Sequence, residues 1–122
     1  MTIVCGDNTP IMLQSLKESA QNAYPDANVR TFLTEEPALE YAGKYGCDVL
    51  LCEINPPRLE GLFLAEKIKK HNPRVNIIFV TVCSESEHAK AVMRLKPSGY
   101  LTKEATIAQI QEELLNLRYP VA

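Results

Sequence analysis

Dense apolar runs of strand length punctuate this chain at residues 2–6, 28–33, 48–53, 76–81 and 99–102. Between them the apolar residues thin out and recur every three or four positions, the period of a helix with one face on a packed layer. Met12, Leu16, Ala20 and Ala23 follow that spacing, as do Ala38, Tyr41, Ala42 and Tyr45. In the last segment Ile107, Ile110, Leu114 and Leu117 step by three, four and three, which predicts a single inward stripe. The pattern is weakest between the fourth and fifth runs, where it places a helix near residues 87–95. Punctuation agrees with these divisions. Pro10 and Pro37 suit the first turn of a helix, Thr34 suits a cap ahead of Glu35 and Glu36, and Gly46 suits a helix end.

Five strands alternating with five helices predict an α/β fold, a parallel sheet covered on both faces, because right-handed crossovers allow few other arrangements. Ile77-Ile78-Phe79-Val80 is apolar at every position, as a doubly covered strand is. In a doubly wound sheet of the flavodoxin-like (βα)5 order, 2-1-3-4-5, the chain reverses direction across the sheet between strands one and three. Its functional crevice lies beyond the carboxyl ends of the strands where the strand order reverses, here strands one and three. Those ends carry Gly6-Asp7-Asn8 and Glu53-Ile54-Asn55, while the fourth strand ends at Thr81 and the fifth beside Lys103. Two acids, a hydroxyl and an ammonium thus converge on one rim.

A length of 122 residues suits one domain with one core. Apolar residues at 46% and charged residues at 23% argue against extended disorder. A net charge of −2 gives no basic surface, and the nearest approach to a cationic cluster, Lys67, Lys69 and Lys70, reads as a solvated helix face. Direct nucleic-acid binding by this domain is therefore not expected. Cys5, Cys47, Cys52 and Cys83 lack paired metal-ligand spacing and read as buried free thiols. Cys83, two residues past Thr81, would need exposure and a lowered thiol pKa to act as a redox sensor. His71 and His88 have no carboxylate or cysteine at ligand spacing and read as surface or helix-end residues. No basic-then-apolar leader and no apolar stretch approaching ~18 residues is found, so a reduced, cytoplasmic protein without a membrane span is expected.

The joint order and spacing of Asp7, Glu53, Asn55, Pro57, Gly61, Thr81, Tyr100 and Lys103 resembles the receiver domain of two-component response regulators, of the chemotaxis-regulator-like type. The resemblance covers residues 1–117 and leaves 118–122 as a tail or the start of a linker to an output domain. It implies that Glu53 occupies the place of the aspartate that accepts a phosphoryl group. It implies that Asp7, Glu53 and the backbone carbonyl of Asn55 form a weak or vestigial Mg²⁺ site. Thr81 matches the switch hydroxyl, Tyr100 the aromatic that moves with it, and Lys103 the lysine that pairs with phosphoryl oxygens.

Three departures from the family pattern fall on the chemistry. Gly6 replaces the first of two adjacent acids, Glu53 is one methylene longer than aspartate, and Val82 stands where a small residue usually leaves the site open. In-line phosphoryl transfer loses much of its rate when an oxygen is displaced by about an ångström, roughly what the added carbon does. The expectation is a pseudo-receiver that keeps its interaction surface, with Glu53 and Lys103 imitating part of the phosphorylated state and biasing Thr81 and Tyr100. Expected partners are an output domain or a sensor kinase, and a second copy through the face of the fourth helix, fifth strand and fifth helix, in the service of transcriptional regulation. The competing reading is a working receiver, phosphorylated on Glu53 and hydrolysing its own phosphate. A nucleotide or flavin binder of similar topology fits poorly, since Gly6-Asp7-Asn8-Thr9-Pro10 lacks a glycine-rich phosphate loop.

Overall fold

The computed structural model describes residues 1–54, 60–81, 89–102 and 105–121. Its elements run β1 Thr2–Gly6, α1 Pro10–Ala23, β2 Asn28–Phe32, α2 Glu35–Tyr45, β3 Val49–Ile54, α3 Glu60–His71, β4 Asn76–Thr81, α4 Ala89–Arg94, β5 Gly99–Thr102 and α5 Ile107–Leu115. The strands pair in parallel in the order β2-β1-β3-β4-β5, as expected for the flavodoxin-like fold. Every residue of β3 and β4 is buried, because these strands are interior to the sheet and covered on both faces.

Strand alternation divides the core in two. Ile3, Cys5, Val49, Leu51, Ile78 and Val80 meet Leu13, Leu16 and Ala20 of α1 and Ile110 and Leu114 of α5. Val4, Leu50, Cys52, Ile54, Ile77 and Phe79 meet Ala38 of α2, Leu62, Ala65 and Ile68 of α3 and Val92 of α4. The same parity places the last residue of each strand, and therefore each functional side chain, on a definite face.

Some boundaries differ from the sequence reading. β2 stops at Phe32, leaving Leu33 exposed, and β3 is shifted by one residue to end at Ile54. Asp48 stays outside β3 because its carboxylate accepts the Thr2 backbone N–H at 2.8 Å while its own N–H goes to the Thr2 carbonyl. Thr34 is the N-cap of α2 but makes no side-chain cap bond, and Glu35 and Glu36 supply the negative charge that the helix amino end favours. Gly46 ends α2 at φ 83, a left-handed value that glycine adopts without penalty.

The α5 stripe is shorter than its spacing predicts. Ile110 and Leu114 are buried, but Ile107 is 41% exposed and Leu117 lies past the helix end, only partly buried. The reason is tertiary. After α5 the chain is captured at the amino-end rim of the sheet by Asn76, whose side chain accepts the Tyr119 N–H at 2.7 Å and donates to the Tyr119 carbonyl at 2.9 Å. Ser98 donates to the same Asn76 oxygen and accepts the Arg118 N–H at 3.0 Å.

The three lysines read as one solvated face have different fates. Lys67 reaches across to Glu35 of α2 at 2.7 Å, whereas the Lys69 ammonium is buried. Cys5, Cys47 and Cys52 are buried free thiols as expected, and burial pushes Cys5 and Cys47 up to about 12. Cys83, Glu87 and His88 lie outside the described residues. Among the described residues no helix is long and apolar enough to cross a membrane.

Candidate functional site: the carboxyl-end rim

β1 and β3 lie side by side with Gly6 opposite Cys52, so the residues that follow, Asp7 and Glu53, emerge next to each other. Glu53 alternates with Val49 and Leu51, which places it on the α1–α5 face together with Asp7. Both carboxylates are nearly enclosed, Asp7 at 3% exposure and Glu53 at 7%.

The amino end of α1 supplies hydrogen-bond donors to both acids. Asn8 donates its backbone N–H to Glu53 Oε1 at 2.9 Å, and Thr9 donates its backbone N–H to Asp7 Oδ1 at 2.8 Å. The Thr9 hydroxyl bonds the same Asp7 oxygen. With Pro10 opening α1, these are backbone donors that no preceding turn can satisfy, and a helix amino end carries partial positive charge. Even so, the Asp7 carboxyl is held above its ordinary pKa. Burial is the foremost cause, opposed by the two Thr9 bonds and reinforced by the charge of Glu53 and hydrogen bonding with it. With glycine at position 6, carboxylate repulsion is still present, because Glu53 lies close enough to raise the Asp7 pKa.

The opposite face of the sheet carries Thr81 and Tyr100. Thr81 ends β4 at 1% exposure, and its hydroxyl donates to the Ile54 carbonyl at 3.0 Å, one residue past Glu53. Tyr100, in register beside Phe79, is half-buried against the cluster formed with α2, α3 and α4. Gly6 faces this side too, and a Cβ there would meet Leu64 and Cys52 at the ordinary distances of 3.7 and 3.9 Å. Position 6 can therefore hold a side chain, and the missing acid is not a steric necessity.

Gly61 is a different case. A Cβ on it would lie 1.7 Å from the Glu53 carbonyl oxygen, so the first turn of α3 packs directly on the backbone of β3 at Glu53. Cys52 adds an Sγ contact to the Gly61 carbonyl at 3.6 Å. The glycine fixes where Glu53 stands.

For a hard cation the described donors are two carboxylates, and among the described residues no cluster of three His, Cys, Asp or Glu side chains forms. Each acid already has an oxygen committed to the α1 donors. Two adjacent acids, each with an oxygen already engaged, fit a weakly held Mg²⁺ rather than a tight cage. Sequence reasoning placed Asp7, Glu53, Thr81 and Lys103 on one rim; the structure brings the first three there, while Tyr100 lies two residues back from the end of β5, beside Phe79. Asn55, Pro57, Val82, Lys103 and Glu104 lie outside the described residues. The Asn8 N–H and the Ile54 carbonyl were missed as binding groups, because backbone atoms leave no mark in a sequence.

A family model for the response regulator receiver domain matches residues 3–115. Response regulator GacA of Pseudomonas viridiflava is 28% identical over 79 residues, covering 65% of this chain and 37% of that protein. Transcriptional regulatory protein DegU of Brevibacillus brevis is 30% identical over 69 residues, covering 57% of this chain and 29% of that protein. The chain thus matches about a third of the length of these curated relatives. Among solved structures, a BeF3-activated DrrB receiver domain superposes with a TM-score of 0.79 at 22% identity, over 93% of both chains. Chemotaxis protein CheY4 of Vibrio cholerae gives a TM-score of 0.79 at 19% identity, over 93% of this chain and 95% of that one.

Proposed function

Because the chain belongs to the response regulator receiver domain family, we propose that it is a pseudo-receiver of a two-component system, signalling by protein contacts with Glu53 in place of a phosphoryl group. The observation that carries this reading is the state of the rim. Glu53 is tied to the α1 amino end through the Asn8 N–H, and the Thr81 hydroxyl is already bonded inward beside it, to the Ile54 carbonyl. Tyr100 packs against the core on the same face as Thr81. A hydroxyl drawn inward and an aromatic packed down are what a phosphoryl group would bring about, so the reading favours a permanently biased switch over an idle one. A carboxylate supplies one charge against about two for a phosphoryl group, which makes the imitation partial.

In this reading Asp7 and Glu53 would hold Mg²⁺ weakly, and the ion would offset their repulsion. The family pattern implies that Lys103, outside the described residues, would supply the paired positive charge. The partners are a sensor kinase and an output domain, with transcription as the output, on the strength of relatives such as the transcriptional regulator DegU. Met93 of α4 and Ile107 and Leu115 of α5 are exposed apolar side chains, which supports a two-fold dimer through the α4–β5–α5 face. The setting is cytoplasmic.

Intact-mass analysis after incubation with Mg²⁺ and acetyl phosphate tests the proposal on the natural protein, Glu53→Asp, and Glu53→Asp combined with Gly6→Asp. The expected result is no phosphoryl adduct on the natural protein and an adduct on the double variant, since position 6 has room for a side chain. An adduct on natural Glu53 would establish the competing reading, a working receiver with its own phosphatase activity.

A further inference from the structure

β2 forms one outer edge of the sheet and pairs only with β1. The Asn28 N–H goes to the Met1 carbonyl at 2.9 Å and the Phe32 carbonyl accepts the Asp7 N–H at 3.2 Å, so the backbone groups of residues 28, 30 and 32 are directed at β1. Those of Val29 and Thr31 therefore point the other way, and among the described residues nothing bonds to them. Open edges are commonly guarded by a proline, a bulge or a charge. β2 carries only Arg30, and that side chain is drawn off the edge. Its guanidinium lies 5.7 Å from the centroid of the Tyr41 ring, and its Nε donates to Asn28 Oδ1 at 3.2 Å. Asn28 Nδ2 completes the chain by donating to the Tyr41 hydroxyl at 2.7 Å. α2 thus holds the one guarding cation over its own face of the strand and leaves the main chain uncovered. Beside it stands a shelf of aromatic rings, Phe32 5.6 Å from Tyr41 and Tyr41 4.7 Å from Tyr45, with Tyr45 58% exposed.

We propose that the outer edge of β2 takes up an extended acidic peptide of a partner protein as a sixth strand. Main-chain bonds to Val29 and Thr31 give such a complex its affinity, and alternate side chains give it specificity. On the α2 side, a carboxylate opposite Arg30 takes guanidinium donors that the single bond to Asn28 leaves over, while the side chain two positions along lies on the Tyr45 ring. The sign of the charge is set by Arg30 and by Lys44, whose ammonium is 5.2 Å from the Tyr45 centroid. Both are exposed, and among the described residues neither meets a carboxylate. A second copy of this chain fits less well, because antiparallel pairing centred on Arg30 sets guanidinium against guanidinium. β5 lies at the far side of the sheet, so the β2 edge stays open in a dimer through the α4–β5–α5 face.

The test is an NMR and amide-exchange titration of the natural protein at constant ionic strength, with a blocked octapeptide alternating glutamate and valine and with its lysine-for-glutamate counterpart. Expected are saturable shifts at Val29, Arg30, Thr31 and Tyr45, with exchange slowed ~10-fold at Val29 and Thr31 and unchanged at Arg30, whose N–H already faces β1. The lysine peptide should bind ~10-fold more weakly, and so should the glutamate peptide to Arg30→Gln. Thr31→Pro removes an outward N–H while leaving the bonds to β1, so it keeps the fold and should abolish the slowed exchange at Val29. Shifts that rise without saturation, equal binding of the two peptides, slowing that ignores the alternation of residues, or binding that survives Thr31→Pro would overturn the proposal. Slowing at Val29 and Thr31 that grows with protein concentration in the absence of peptide would also overturn it, assigning the edge to a second copy.

Discussion

The two rims of the sheet bury polar groups in opposite ways. At the amino end, Asn76 is 1% exposed and its amide bonds to Tyr119, Ser98 and the backbone, with no net charge involved. At the carboxyl end, two carboxylates stand together behind a few backbone donors, and one of them holds its proton more tightly than a free acid would. A satisfied neutral network rigidifies a fold, whereas crowded like charges destabilise it and persist where a site uses them. The amino-end rim therefore reads as structural and the carboxyl-end rim as functional, and substitutions on each should separate in sign.

The largest effect is expected at Gly61. Replacement by alanine forces α3 away from the Glu53 carbonyl and should cost about 3 kcal/mol or more in urea unfolding, the upper range for overpacking. A loss under about 1 kcal/mol would mean that α3 docks on β3 far more loosely than the 1.7 Å approach requires.

Asn76→Ala should come next, destabilising by about 1–2 kcal/mol because half-buried partners on Tyr119 and Ser98 lose their bonds. Faster amide exchange at Arg118 and Tyr119 should accompany it, with Asn8 and Thr9 unchanged. Exchange rising equally at both rims would erase the contrast between them.

Asp7→Asn should act in the other direction and stabilise at neutral pH. The folded-state pKa of Asp7 is raised, so its favourable contribution is complete below the unfolded value of about 3.9 and is lost as pH rises through the folded value. The variant should melt about 4 °C higher than the natural protein at pH 8, with the difference vanishing near pH 3. A difference that is independent of pH would show that repulsion with Glu53 is not its source.

The smallest effect is on thiol chemistry. With Cys5 and Cys47 pushed up to about 12, the thiolate fraction at pH 8 is on the order of 10⁻⁴, so residue-resolved alkylation of the natural protein should be slow at both. Asn76→Ala should speed Cys47, near the amino-end rim, more than Cys5. Equal acceleration would point to global unfolding instead of local opening.

Much of this was legible in the sequence because it follows from periodicity. The alternating apolar runs carry the five strands, and the all-apolar character of Ile77-Ile78-Phe79-Val80 marks an interior strand without reference to any neighbour. Asp7, Glu53 and Thr81 could be assigned to one rim because a parallel sheet brings every strand's carboxyl end to the same side. Leu117 packs against the core face that its spacing assigns, but past the end of α5. Its helical spacing is real, but the bonds from Asn76 and Ser98 draw residues 116–120 out of the helix.

The sequence by itself determined the alternation of five strands with five helices and the two-faced core, since these depend on local pattern and chain connectivity. Only the tertiary structure decided which backbone groups the acids engage, that Gly61 abuts the Glu53 carbonyl, that Lys69 is buried while Lys67 pairs with Glu35, and that Asn76 holds the end of the chain. Those contacts join residues far apart in the chain through backbone atoms or through the direction of one side chain, and neither leaves a periodic trace in the sequence.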